Sequence, residues 1–356
     1  MQAIIILLHR TFFQKMSLGK KGVLLVNLGT PDDPSYWAVR KYLKQFLLDK
    51  RVLDISWLGR NLLVRGIIAP FRSRSSSKLY KMLWTPEGSP LKVYGEKLEQ
   101  ALQPLLGDEY EVVLAMRYQS PSIESAIKRL MDKDVSEIVV LPLFPHYASA
   151  STGSVHEEVM RLLSKELAIP KVTFINSYYD NEAMIDVFVE NAQQFDLDSY
   201  DHVLFSFHGL PERQMVKADR SGTHCLKNKD CCKTLTTKNQ FCYTAQCHVT
   251  AYAIAKKMNL KEDQYTICFQ SRLGRAEWVK PYTSDILEVR AKKGDKRLLA
   301  FCPAFVSDCL ETTIEVSTEY QEEFEELGGE HVDLVPSLND HPKWVEAVKD
   351  MVLEHV

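Results

Sequence analysis

An α/β fold of two Rossmann-like, doubly wound domains, each built on a parallel four-stranded sheet, is what this 356-residue sequence predicts. Three observations carry it. Short apolar, β-branched runs alternate with stretches of helical periodicity along almost the whole chain, the pattern of parallel strands joined by crossover helices. Each half opens with a strand that runs into a Gly/Pro turn, Asn27-Leu28-Gly29-Thr30-Pro31 in one and His208-Gly209-Leu210-Pro211 in the other. The length also suits two ordinary domains at roughly 100–200 residues apiece.

The elements follow in order. Residues 1–20 read as an uninformative N-terminal extension. Their apolar run Ala3–Leu8 is far short of the ~20 residues that span a bilayer. Arg10 and Lys15 follow that run rather than precede it as an export signal requires, and Met16 offers an alternative start. The N-terminal domain is expected over 21–176, with strands at 22–27, 110–116, 137–143 and 171–175 and helices at 35–48, 121–131 and 154–168. Residues 48–86 break the rhythm with Leu, Ile, Arg and Ser interspersed by Trp57, Phe71, Tyr80 and Trp84. They read as a mobile helical flap over a cleft or as a surface helical pair. The C-terminal domain is expected over 177–340, with strands at 202–207, 265–269, 297–301 and 331–335. Its helices include 183–193 and 247–258, it carries a cysteine-rich insert at 220–247, and residues 341–356 form a C-terminal helix.

Composition narrows the function. A net charge of −3 argues against a nucleic-acid partner. No GxGxxG or Walker-type loop follows any strand, which argues against a nucleotide enzyme. Without an export signal the thiols belong in a reducing cytoplasm. There the cluster Cys225, Cys231, Cys232, Cys242 and Cys247 points to metal rather than to disulfides. Cys268 and Cys302 read as small buried hydrophobes.

Ligands of doubly wound folds bind beyond the carboxyl ends of the strands. His208 lies there, with Ser206 on its own strand face and Phe205 and Phe207 on the opposite one. After the strand 297–301 a helix is expected, with Asp308 and Glu311 as a capping box, Ser307 as the rival cap and Gly328-Gly329 as its end. Glu311, Glu315, Glu319 and Glu323 recur along it every four residues. Glu319 and Glu323 read as a solvated face, whereas Glu311 and Glu315 occupy the first turns, at the cleft end. A neutral imidazole facing carboxylates suits a divalent cation or a proton abstraction.

Several longer motifs resemble the ferrochelatase family: Ser-Phe-His-Gly-Leu-Pro at 206–211, Gln-Ser-Arg-Leu-Gly at 270–274, Trp-Val-Lys-Pro at 278–281 and Pro-Ala-Phe-Val-Ser-Asp-Cys-Leu-Glu-Thr at 303–312. Val-Asn-Leu-Gly-Thr-Pro at 26–31, Glu-Gly-Ser-Pro-Leu at 87–91, Met-Arg-Tyr at 116–118 and Pro-His-Tyr-Ala-Ser-Ala-Ser-Thr-Gly-Ser at 145–154 extend it in the right order. The resemblance implies a lyase with a porphyrin cleft between two domains, inserting Fe²⁺ into protoporphyrin IX at the last step of haem biosynthesis. Coproporphyrin III is the closest alternative substrate, and a non-catalytic haem-binding protein is the alternative from another class. It also implies that His208 and Glu311 are the catalytic, metal-handling pair, with Asp308 and Glu315 on a polar metal path. Arg117, Tyr118, Phe144 and Trp278 would surround the macrocycle and Ser89 would sit near a propionate. Poorly soluble tetrapyrroles would favour peripheral membrane contact around residues 48–86.

Two departures from the family stand out. Cys309 occupies a position where many members carry histidine. The animal enzymes also draw iron–sulfur ligands from the loop 147–154 and a C-terminal extension. That loop has no cysteine here and the chain stops at Val356, so this arrangement is not expected. The clustered thiols resemble instead an internal insert of some bacterial ferrochelatases that holds a [2Fe–2S] cluster. The expected ligands are Cys225, Cys232, Cys242 and Cys247, with Cys231 as the alternative to Cys232 because neighbouring side chains should point apart. Zinc and free or redox-active thiols are the rival readings. Lys227, Lys229, Lys233 and Lys238 would offset the cluster's charge.

Overall fold

The computed structural model describes residues 19–356 apart from Lys229 and Arg275. Expectations for residues 1–18, Ala3–Leu8 and Met16 included, and for Lys229 lie outside the described residues.

All eight expected strands form, with small adjustments at their ends: β1 Lys21–Gly29, β2 Tyr110–Tyr118, β3 Glu137–Pro142, β4 Lys171–Phe174, β5 His202–His208, β6 Tyr265–Gln270, β7 Arg297–Phe301 and β8 His331–Leu334. They build two wholly parallel four-stranded sheets of the same order, β2-β1-β3-β4 and β6-β5-β7-β8. The sequence dictates this by burying the central strands on both faces. Along β1, Val23 and Leu25 enter one core while Leu24 and Val26 enter the other. Along β5, Phe205 and Phe207 face one core and Leu204 the opposite one.

The two halves are tied together by their last helices. The helix Pro342–Leu353 follows β8 but packs on Pro90–Leu106 of the first half, and Glu182–Ala192 follows β4 but packs also on Tyr243–Lys257 of the second. One apolar core therefore runs between the inner faces of both sheets, with the fully buried Trp344 inside it. The C-terminal helix is part of this core rather than an appendage.

Residues Trp57–Leu83 form a continuous helical rod rather than a pair. It is α-helical over Trp57–Leu62 and Ala69–Leu83, with wider π turns over Leu63–Ile68. Ser56 caps its start by accepting from the Gly59 amide. Its inner face packs Tyr80 and Leu83 against Tyr42 and Ile314, whereas Trp57 and Phe71 point outward, 70% and 74% exposed.

The helix expected from Cys247 starts earlier, at Tyr243, because Cys242 takes the N-cap position. The acidic helix also starts differently. Its N-cap is Cys309, whose sulfur accepts from the Thr312 amide while the Thr312 hydroxyl accepts from the Cys309 N–H at 2.9 Å. Asp308 is drawn off by the Asn339 side chain at 2.7 Å and the Thr312 hydroxyl at 3.1 Å, so it is not the cap. The eleven residues Leu310–Tyr320 form a π-helix before Gln321–Glu326 continues as α. Wide π turns are rare and cluster at functional sites.

Buried histidines set an acid limit on this fold. Burial holds His146 down to about 3, and His156, His202 and His248 to about 4. The unfolded chain binds these protons more readily, so their stabilising effect is complete above about pH 6.5 and fades as pH falls towards 4. His146 alone should account for about 2 kcal/mol of lost stability at pH 5. Urea unfolding midpoints between pH 7.5 and 5 test this, and a flat profile would contradict it.

Candidate active site

A cleft lies beyond the carboxyl ends of β1, β3, β5 and β7. Most of its lining is apolar or aromatic, including Leu28, Phe46, Leu143, Phe144, Leu210 and Phe305. Such a lining suits a large flat ring, since it removes apolar surface from water without demanding hydrogen bonds. Gly29, with φ +116°, turns the chain out of β1 where any Cβ would run into the Tyr118 carbonyl.

Two titratable residues line this cleft from different elements, His208 from the end of β5 and Glu311 from the first π turn. The His208 Nδ1 lies 2.6 Å from the Gly209 carbonyl oxygen. A carbonyl only accepts, so Nδ1 carries a proton, and in the neutral imidazole Nε2 holds the lone pair. The Tyr243 hydroxyl donates to the His208 carbonyl at 2.8 Å and fixes the strand end from the neighbouring helix. Gly209 is required beside it, because a Cβ there would lie 2.8 Å from the Gln270 carbonyl oxygen and 3.2 Å from the Trp278 ring. Glu311 is spared from capping because Thr312 completes the box with Cys309.

The remaining expected residues divide. Ser89 and Phe144 line the cleft, and the Ser89 hydroxyl lies 2.9 Å from that of Thr30. Trp278 is not among the lining residues. It packs beside the reactive imidazole, ring centres 6.3 Å apart. Arg117 and Tyr118 do not line the cleft either. Both donate to the buried Asp49 carboxylate at 2.9 Å, and Arg117 also bonds Ser154 at 2.7 Å. Burial pushes the Asp49 carboxyl up, but the bonds from Ser154, the Arg51 amide and Tyr118 outweigh it and leave it below its ordinary value. Asp308 is held as described above. Glu315 accepts from Gln270 at 3.0 Å, Ser271 at 2.5 Å and Tyr320 at 3.1 Å. Glu319 is exposed, whereas Glu323 is half-buried and accepts from Ser284.

Sequence reasoning missed Gln270, which is buried opposite His208 in the β5–β6 register. It accepts from Ser206 and donates to the Glu311 carbonyl oxygen at 2.7 Å and to Glu315, so one amide joins the histidine strand to the acidic helix. Its strand-end place beside His208 was the available signal. Tyr42 and Tyr80 were missed too. They line the cleft, and burial and the nearby Glu311 carboxylate raise both phenols.

Cys309 lines the cleft as well, and burial, followed by Glu311, pushes its thiol well above the ordinary range. It is a neutral cap rather than a nucleophile. Serine caps helices at least as well, so Cys309→Ser should retain a good part of the turnover and all of any visible absorption. Loss of colour in that variant would assign Cys309 to a metal centre.

In the insert, Cys225, Cys231, Cys232 and Cys242 line a second, smaller cavity. The Cys231 and Cys232 sulfurs are 3.5 Å apart and those of Cys232 and Cys242 are 3.9 Å apart. The neighbouring thiols do not point apart because they lie in a turn, not in an extended strand. Cys247 is fully buried one helical turn past Cys242 and does not line this cavity. The Cys232 thiol, followed by the Ala245 and Thr244 amides, holds Cys242 below the usual thiol range. Among the described residues, no three or more His, Cys, Asp or Glu are already arranged as a metal cage.

Two parallel sheets flanking an apolar cleft, with an imidazole and a carboxylate converging in it, define a chelatase-type protein. SirB from Bacillus subtilis with Fe³⁺ shares the fold, with a TM-score of 0.51 at 13% identity over 94% of this chain and 95% of that one. The chain belongs to the ferrochelatase family, metal-inserting lyases, whose family model matches residues 20–356. It is 46% identical to the ferrochelatase of Coxiella burnetii (strain Dugway 5J108-111) over 333 residues, 93% of each chain. The ferrochelatase of Legionella pneumophila (strain Corby) is 42% identical over 337 residues, 95% of this chain and all of that one.

Proposed function

We propose that this chain inserts Fe²⁺ into protoporphyrin IX to form haem. The observation that supports it most is that His208 and Glu311, from different elements, line one largely apolar cleft. Insertion requires two pyrrole protons to leave as the metal enters. His208 Nε2, the nitrogen left free in the tautomer that the Gly209 bond selects, accepts the two ring protons in turn and passes each to solvent. Glu311 supplies a hard oxygen ligand that holds Fe²⁺ until the ring nitrogens take it. Glu315, one turn further along, continues the acidic line, and an arriving cation displaces the donors from Ser271 and Tyr320. Asp308 supports the same line from the helix start. Phe144 and Ser89 contact the ring and a propionate. Trp278 buttresses the imidazole, and Arg117 and Tyr118 brace the cleft wall through Asp49.

The test is to supply protoporphyrin IX or coproporphyrin III with Fe²⁺ or Zn²⁺ and follow metalloporphyrin absorption under multiple turnovers. Faster turnover of protoporphyrin IX is the expected result. Preference for coproporphyrin III would move the substrate, and stoichiometric binding without turnover would leave only a tetrapyrrole-binding protein.

The insert fits a [2Fe–2S] centre by donor chemistry, four thiols around one cavity with one of them held towards thiolate. Cys225, Cys232 and Cys242 would hold it, with Cys231 favoured over the buried Cys247 as the fourth ligand. When bound, such a centre would close the loop between β5 and the helix Tyr243–Lys257, which supports His208.

Lipid is the partner proposed for the outer face of the rod Trp57–Leu83. Trp57, Leu62 and Phe71 are exposed there among Arg65, Arg72 and Arg74, the composition of an interfacial helix. No helix among the described residues is long and apolar enough to cross a membrane.

A further inference from the structure

A third, more open cavity lies on the other side of the loop that walls the porphyrin cleft. Ala148, Ala150 and Ser151 of that loop line the cleft, whereas Tyr147 and Ser149 line this third cavity. Asn176, just past β4, places it at the carboxyl edge of the first sheet, where such sheets take ligands.

Its charge is unlike that of the rest of the molecule. Lys50, Arg51, Lys217 and Arg220 line it against a single lining carboxylate, Asp54. Each carboxylate present is already shared by two cations: Asp54 by Arg213 and Lys217, Glu157 by Lys50 and Arg51. Arg220 has no ion pair among the described residues, and its guanidinium is held over the Phe241 ring, 4.8 Å from the centroid. The result is a cationic surplus in a concave site on a chain whose net charge is −3. Polar groups of Tyr147, Ser149 and Asn176 complete the lining. Several cations gathered in one concave site match a multivalent oxyanion.

We propose that this cavity binds a small multivalent oxyanion, a polycarboxylate or a phosphate, and that its occupancy braces the porphyrin cleft from behind. The coupling runs through Arg51, which donates to Ser149 at 2.9 Å and would hold the anion with its remaining N–H groups. An anion clamped there fixes the loop whose opposite side forms the cleft wall. The site rests on its own geometry, so it can fail while metal insertion into porphyrin stands.

Calorimetric titration of the full-length protein with citrate and, separately, with inorganic phosphate, at constant ionic strength, tests the site. Acetate and chloride serve as monovalent controls. Saturable binding of one citrate or phosphate per chain is expected, weakening with added salt and at least roughly tenfold weaker in a Lys50→Gln/Arg220→Gln variant. Which anion binds more tightly identifies the source. Turnover assays with Zn²⁺, corrected for metal chelation, should show a lower porphyrin KM with the anion for the natural protein and no change for the variant. Equal binding by both proteins, or binding no tighter than acetate, would overturn the proposal. Specific binding that leaves the KM unmoved would overturn its coupling to the cleft. Unchanged melting of the variant without anion shows that it folds.

Discussion

Replacing His208 by Ala is expected to lower metal insertion by roughly 10²–10⁴-fold, the range that a positioned proton acceptor contributes. Glu311→Gln should fall in the same range, because the amide keeps the shape but loses the charge that holds the cation. Porphyrin affinity should change little in either variant, since the lining that contacts the ring is apolar and untouched. Both should fold. The Tyr243 hydroxyl bonds the His208 backbone carbonyl, which alanine retains, and Glu311 makes no side-chain bond that caps its helix. Steady-state rates together with fluorescence titration of porphyrin binding separate the two effects. Near wild-type turnover in either variant would remove that residue from the mechanism, and parallel loss of binding and rate would recast it as a ring contact.

Cys242→Ser is expected to abolish the visible absorption of a protein otherwise brown, with iron and sulfide near two each per chain. This substitution is informative because serine is as good a cap as the cysteine it replaces, so the helix Tyr243–Lys257 should persist. Cys225→Ser and Cys232→Ser should bleach the protein equally. Cys231→Ser and Cys247→Ser decide the fourth ligand: loss of colour in the first and retention in the second would match the cavity geometry. Metal, sulfide and absorption measurements on anaerobically purified protein are the readout. A colourless natural protein carrying one tightly bound zinc would replace the cluster by a zinc site and leave the chelatase chemistry untouched.

The strands were legible because their signal is local. A central parallel strand is buried on both faces and is therefore mostly apolar, and Val23–Val26 and Val203–Phe205 show that in a few residues. His208 was legible because a strand end before a Gly-Leu-Pro turn has one place to go. What stayed hidden depended on distant partners. Nothing near Asp308 announces Asn339, so its capture by that amide, and the transfer of the cap to Cys309 and Thr312, could not be read. The bonds of Arg117 and Tyr118 to Asp49 could not be read either, because Asp49 lies far away in sequence. The cysteine loop defeats periodicity altogether, and only its folding shows which thiols share a cavity.

The exchange of closing helices between the two halves has a consequence for how the chain is made. The helix Pro90–Leu106 leaves the ribosome early, yet the surface that covers it, Pro342–Leu353 with Trp344, Val348 and Val352 buried, is translated only after the whole second sheet. The first sheet must therefore wait through synthesis of the whole second half with that flank bare, a contact of long sequence separation that slows folding and invites aggregation. A nascent chain arrested short of residue 342 should bind holding chaperones that the released protein does not.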